Sequence, residues 1–176
     1  MECLHCQEKI RTDKLLCSFC SEQIEFVQLE GRCPRCLTTA SCSCSFPSHS
    51  IGAAVEAQGS VLSLIQARHG SAADEIAKTM AAFLVLALDR QKWSTPTVIV
   101  PVPTDPFNIK LARYLALFLE MPLKNIFLKN KWIPSACVSD ECVLLIDTLV
   151  RPEEGLFCLL EEGAPSKVLY LAFGVV

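Results

Sequence analysis

Eight of the eleven cysteines fall between Cys3 and Cys44, arranged as the pairs Cys3/Cys6, Cys17/Cys20, Cys33/Cys36 and Cys42/Cys44. A two-residue spacer lets both thiolates of a knuckle point at one ion, and two knuckles complete a closed tetrahedral site. Four pairs therefore predict two sites. Sequential pairing would join Cys3, Cys6, Cys17 and Cys20 in one ribbon and Cys33, Cys36, Cys42 and Cys44 in the other. An interleaved cross-brace uses the same residues. The expected cofactor is zinc, two ions, although a tetrahedral set of four sulfurs also accepts rubredoxin-type iron. The last pair has a single intervening residue, so His49 is a substitute ligand for the second site. His5, inside a knuckle, reads as a solvated side chain. Cys137, Cys142 and Cys158 are dispersed and read as small core hydrophobes.

A second group of side chains suits a different chemistry. From Lys110 to Lys131 five basic residues (Lys110, Arg113, Lys124, Lys129 and Lys131) face one acid, Glu120, with Phe127 and Trp132 close by. Aromatic rings among cations can stack bases while the cations neutralise phosphates. Lys124, Lys129, Lys131 and Trp132 are thus the candidate nucleic-acid contacts, set against the plainer alternative of a solvated helix face with two core aromatics. The Cys-rich segment has five Lys/Arg against six Asp/Glu and is no basic patch.

A chain of 176 residues must position these groups with one full domain and a small one that needs a staple. The hydrophobic fraction of 51% and charged fraction of 20% predict a substantial core and exclude disorder of the whole chain. A formal charge of -3 gives no global attraction to nucleic acid. The N-terminal residues lack the pattern of a secretory signal, which predicts reduced thiols and a cytoplasmic location. The most apolar stretch, Ile76 to Leu88, contains Lys78 and is too short to span a bilayer, so no membrane insertion is expected. Composition shifts near Ser48. We therefore divide the chain into a Cys-rich module at 1–48 and an α/β domain at 49–176.

Within the second part, Val55, Val61, Leu62 and Ile65 suggest a helix over Ile51 to Gln66, interrupted at Gly59. Ser71 and Asp74 open a second helix with an apolar stripe to about Asp89. Thr97 to Val102 is a β-branched run bounded by prolines, as expected of a buried parallel strand. Phe107 to Glu120 places Leu111, Leu115, Phe118 and Leu119 on one helical face. Cys142 to Asp147 is another strand, Arg151-Pro152-Glu153-Glu154 opens a helix that ends before Gly163, and Lys167 to Phe173 is a further strand. The alternation predicts a mainly parallel sheet covered on both faces. Its ligands would sit beyond Val102 and Asp147.

The paired cysteines, the segment Ala53 to Gly59 ahead of a helix, and Ile99-Val100-Pro101-Val102-Pro103 followed by Phe107-Asn108 resemble the ComF family of competence proteins. That family joins an N-terminal double zinc ribbon to a Rossmann-like phosphoribosyltransferase-type domain. The resemblance implies that Asp147 corresponds to the first of two acids that hold the ribose hydroxyls of phosphoribosyl pyrophosphate. The second acid is Thr148 here, Arg151 and Pro152 replace paired threonines, and Glu153 stands where a glycine lets backbone approach the phosphate. Asp105-Pro106 replaces the family's Arg-Gly. Asp147 alone is carried over, as the residue of a degenerate ligand site or as a strand-end carboxylate that caps the next turn.

The resemblance thus implies a non-catalytic adaptor, with no catalytic residue assigned, that handles incoming single-stranded DNA alongside other competence proteins. One alternative is an active transferase or ligand sensor in which Asp147, Thr148 and Arg151 form the site and Mg²⁺ bridges a diphosphate. Another is a zinc-stabilised protein-interaction module.

Overall fold

The computed structural model describes residues 1–11, 13–33, 37, 50–91, 93–125, 127–128, 131–132, 142–150 and 167–175. A short helix α1 (Ser18–Glu22) precedes strand β1 (Ser50–Glu56) and helices α2 (Ser60–Ala67) and α3 (Ala73–Gln91). Strand β2 (Val98–Pro101), helix α4 (Phe107–Leu119), the short strands β3 (Phe127–Leu128) and β4 (Lys131–Trp132), then β5 (Cys142–Val150) and β6 (Lys167–Val175) follow. The protein is mixed α/β, with a four-stranded, all-parallel sheet in the order β1-β6-β5-β2. β3 and β4 form a separate antiparallel pair. Among the described residues no helix is long and apolar enough to cross a membrane.

Apolar runs explain the central strands. Val143 to Ile146 of β5 and Leu171 to Phe173 of β6 are all buried, because both sheet faces are covered. On one face, Ile99, Leu144, Ile146, Leu169, Leu171 and Phe173 meet Met80 and Leu84 of α3 and Leu111 and Leu115 of α4. Each fully buried Leu, Ile or Phe contributes about 1.5–3 kcal/mol. On the other face, Val98, Val100, Val143, Leu145, Val168 and Tyr170 form a second cluster with Leu37 and the half-buried Val27.

Three expectations from sequence change here. Ile51 to Gln66 is not an interrupted helix. It is a strand, a turn at Gly59 with φ 52°, and a short helix. Ile51, Gly52, Ala53, Ala54 and Val55 are buried in succession, a strand covered on both faces, and the small Gly52, Ala53 and Ala54 at its centre interrupt the β-branched signature. Gly52 admits the Trp93 indole, since a Cβ there would stand 2.8 Å from Cη2. Gly52→Ala should therefore destabilise by about 1–3 kcal/mol in urea unfolding, and adding Trp93→Leu should restore part of the loss. Phe118 is not on the buried face of α4 but 43% exposed. Asn108, Ala112 and Ala116 are buried instead, which turns the inward arc away from it. β5 runs three residues beyond Asp147, to Val150. The helix expected to open at Arg151 lies outside the described residues.

Both sheet edges are covered. Val27 N–H donates to Ala54 O and Glu56 N–H to Glu25 O, so residues 25–27 run along β1. Ile99 N–H donates to Pro122 O and Lys124 N–H to Ile99 O along β2. Satisfying these edge groups removes a template for pairing with other chains. Phe26 stacks at 5.6 Å on Phe83, which meets Phe173 at 6.0 Å, and the Arg90 guanidinium lies 4.0 Å over the Phe26 ring.

Candidate functional site

Two clusters of polar or ligating side chains stand out, one at the N-terminus and one at the C-terminal end of the sheet. The first is a hairpin closed by the Glu2–Lys9 bridge, with Cys3 N–H donating to Glu8 O and Gln7 N–H to Cys3 O. Gln7 takes φ 64°, the left-handed turn that carries the chain from Cys6 back along Cys3. Cys17 caps α1, and Cys20 follows one helical turn later with its N–H directed at Cys17 Sγ (3.4 Å). Cys17 N–H points at Cys3 Sγ (3.3 Å).

The sulfurs of Cys3, Cys6, Cys17 and Cys20 all lie within 4.8 Å of one another, and Cys6 and Cys17 are 3.7 Å apart. A metal–sulfur bond of about 2.3 Å sets tetrahedral edges of about 3.8 Å, so the four could bind one metal ion. Electrostatics favour the same conclusion. Burial opposes ionisation of Cys3, but backbone N–H groups of Cys6, Cys17 and His5 outweigh it and bring the thiol down to about 6. Burial and the neighbouring thiols push Cys20 up, and Cys17 is also raised. Four adjacent thiolates cannot all form without a cation to hold their charge.

Among the eight predicted ligands the structure thus joins the first two pairs. Cys33 is half-buried and apart from this cluster, while Cys36, Cys42, Cys44 and the substitute His49 lie outside the described residues. The cluster is part of the main core. Cys3, Leu15, Leu16, Cys17 and Cys20 pack with Val61, Ile65 and Ile76. Ser60 Oγ donates to Cys20 O at 2.9 Å, and His5, expected to be merely solvated, shares a hydrogen bond with Ser63 Oγ at 3.0 Å. Cys142 is buried, as a small core residue, and Cys137 and Cys158 are not described.

The second cluster forms where β5 runs past the end of β2. Asp147 is 7% exposed and both its oxygens are engaged. Oδ1 accepts from Asn108 Nδ2 (2.9 Å) and Thr148 N–H (2.7 Å), and Oδ2 from the Tyr170 hydroxyl (2.9 Å). Thr148 Oγ1 donates to Asn108 Oδ1, and Asn108 Nδ2 also reaches Val102 O. Burial raises the Asp147 pKa, only partly opposed by the Tyr170, Asn108 and backbone donors. Asn108 and Tyr170 had no role assigned from sequence. A lone hydroxyl in the apolar run Lys167 to Phe173 was the available signal, because a buried phenol needs a partner.

Beside this cluster Asp105, just ahead of α4, accepts from the Phe107 N–H that opens the helix (2.8 Å), and it pairs with Arg68 Nε at 2.7 Å. His69 Nε2 lies 3.4 Å from the same carboxylate. Burial works against its charge, but Arg68, the Phe107 N–H and His69 together hold the Asp105 pKa below the usual value. Asp105 therefore secures the entry to α4.

Of the candidate nucleic-acid contacts, Lys124 is half-buried beside β2, and Lys129 lies outside the described residues. Lys131 and Trp132 pair with Leu128 and Phe127 along the short antiparallel ribbon. Lys110, from the same basic run, is joined to Asp74 of α3 at 3.0 Å. Comparison of the chain with family models and with curated proteins finds no match for either.

Proposed function

We propose that this protein is a ComF-type adaptor: a double zinc ribbon holding two zinc ions, fused to a phosphoribosyltransferase-like domain that has kept its scaffold without working as a transferase. It serves cytoplasmic handling of single-stranded DNA together with other competence proteins. The observation that carries this reading is the state of Asp147. A carboxylate that holds ribose hydroxyls must present free lone pairs to the ligand. Here three protein donors occupy both oxygens inside the fold. The all-parallel sheet and the four-cysteine cluster packed with α2 and α3 support the same family.

Titration calorimetry with Mg²⁺ and phosphoribosyl pyrophosphate on the metal-loaded protein tests the proposal. The expected result is no saturable heat with that ligand and saturable heat with a single-stranded oligonucleotide, unchanged by Asp147→Asn. Saturable phosphoribosyl pyrophosphate binding that disappears in Asp147→Asn would establish a working ligand site and overturn the adaptor reading. Metal analysis gives a separate check. Two zinc ions per chain are expected, falling by one in Cys20→Ser.

A further inference from the structure

The outer wall of the N-terminal module carries an open groove of about 610 Å³ lined by Glu8, Lys9, Ile10, Arg11, Lys14, Cys17, Ser18 and Phe19. Three cations and one acid face it. Lys9, Arg11 and Lys14 are exposed, and none of them enters an ion pair among the described residues. Asp13, the other acid nearby, borders a separate cleft with Glu75 and Lys78, which Lys14 also reaches. Phe19 is 66% exposed, more than any other large apolar side chain among the described residues.

Phe19 is also rigidly placed. It sits on α1 between Cys17 and Cys20, whose sulfurs belong to the four-cysteine cluster, and Cys20 O is tied to Ser60 of α2. Lys9 and Arg11 follow along the hairpin, and Lys14 N–H closes a turn onto Arg11 O. A fixed ring bordered by cations offers a face for a base and charges for the phosphates on either side of it, which is how single strands are held without sequence readout. An acidic peptide would satisfy the cations but leave the ring unused.

We infer that this groove is a binding site for single-stranded nucleic acid, with Phe19 as the stacking platform and Lys9, Arg11 and Lys14 as the phosphate contacts. The inference rests on the nucleic-acid part of the proposed function and places the strand on the metal module, away from Lys124, Lys131 and Trp132.

Fluorescence anisotropy on the metal-loaded full chain, with a labelled oligothymidylate and with labelled inorganic polyphosphate, separates stacking from charge. All four side chains are exposed, so Phe19→Ala, Phe19→Trp, Arg11→Gln and the triple Lys9→Gln/Arg11→Gln/Lys14→Gln should fold, which metal content and thermal unfolding check. Phe19→Ala should weaken oligothymidylate about ten-fold and leave polyphosphate unaffected. Phe19→Trp should restore the affinity and show indole quenching on binding. Arg11→Gln should weaken both ligands, and the triple variant should lower the slope of log affinity against log salt by about 2 for the oligonucleotide.

Wild-type binding that none of these variants alters would overturn the groove while leaving the nucleic-acid reading intact. Absence of oligonucleotide binding by the wild type would remove both. Loss of metal affinity in the triple variant, with oligonucleotide binding unchanged, would overturn the inference by assigning the cations to charge balance of the thiolates. Equal competition by polyglutamate, with no effect of Phe19→Ala, would reduce the groove to an unselective cationic surface and overturn it as well.

Discussion

Cys20→Ser should lower the midpoint of thermal unfolding by at least about 10 °C and abolish binding of one metal ion. Structural metal contributes about 10–16 kcal/mol of apparent binding energy in small cysteine modules, whereas a whole domain is stable by only about 5–15 kcal/mol. Here the ligands do not stand apart from the main core. Cys3, Cys17 and Cys20 pack directly with α2 and α3 residues, and the Cys20 carbonyl accepts from Ser60. Losing about 5 kcal/mol of that coupling shifts the midpoint by roughly 10–20 °C in a chain of this size. A chelator should lower the wild-type midpoint at least as far, and in Cys20→Ser it should act only through the second ion. Cys6→Ser should be milder in packing, because Cys6 is exposed, yet equally deficient in metal. An unchanged midpoint after verified metal removal would show that the four cysteines are not a staple.

The second large effect concerns the polar cluster under β5. Asn108→Leu removes the side-chain amide donor to the Asp147 carboxylate and the acceptor for Thr148 Oγ1. Leaving a buried carboxylate short of a donor should cost about 3 kcal/mol or more in urea unfolding at neutral pH. Asp147→Asn should behave in the opposite way, remaining at least as stable as the wild type at pH 7, because the burial penalty on the charge is gone, the amide oxygen still accepts from Asn108 and the Thr148 N–H, and the new NH2 can donate to the Tyr170 oxygen while that hydroxyl turns to Leu149 O.

The pH dependence gives the sign. The folded pKa of Asp147 is raised, so between the ordinary value of 3.8 and that higher value the folded state holds more protons than the unfolded one. Stability therefore falls as pH rises through this window and then levels. Asp147→Asn should abolish that fall. Asp105 is depressed, so its contribution is present above 3.8 and is lost as pH falls through its lower folded value. Asp105→Asn should therefore flatten the acid limb and leave the upper window alone. Denaturation midpoints for the wild type and both variants from pH 3 to pH 7 distinguish the two limbs, and identical slopes in all three would contradict the assignment.

The elements most visible in the sequence are those whose residues have one job. Val98 to Val102, Cys142 to Ile146 and Val168 to Phe173 are almost wholly apolar because each strand is covered on both faces, and the helices ending near Asp89 and Glu120 carry clear stripes. β1 was hidden because its requirement is smallness. Gly52 admits the Trp93 ring, Ala53 and Ala54 are buried beside β6, and small residues are as common in helices as in strands. The cysteine spacing marked four ligands that the structure brings together, but spacing could not say which knuckles meet, since that depends on where α1 docks. Asn108 and Tyr170 were missed for a related reason. Each is a single polar group within an apolar pattern, and its meaning comes from Asp147, 39 and 23 residues away in sequence. The residues after Ile24 that cover β1 gave no strand signal, because only a few main-chain groups take part.

The position of β6 bears on how the protein is made. It is synthesised after every other strand of the sheet, yet it lies between β1 and β5, with Leu169 beside Ser50 on one side and Leu144 on the other. Among the described residues, until it emerges from the ribosome, β1 has a partner only along residues 25–27, β5 has one only in β2, and the two halves have no backbone contact through the sheet. Pairings that span so much of the chain are slow, and open edges invite association with other nascent chains. A premature stop ahead of Lys167 thus withholds one of the two inner strands rather than trimming an end. Such a fragment could still bind a metal ion at its four clustered cysteines and, among the described residues, would have no strand to join the two halves of its sheet.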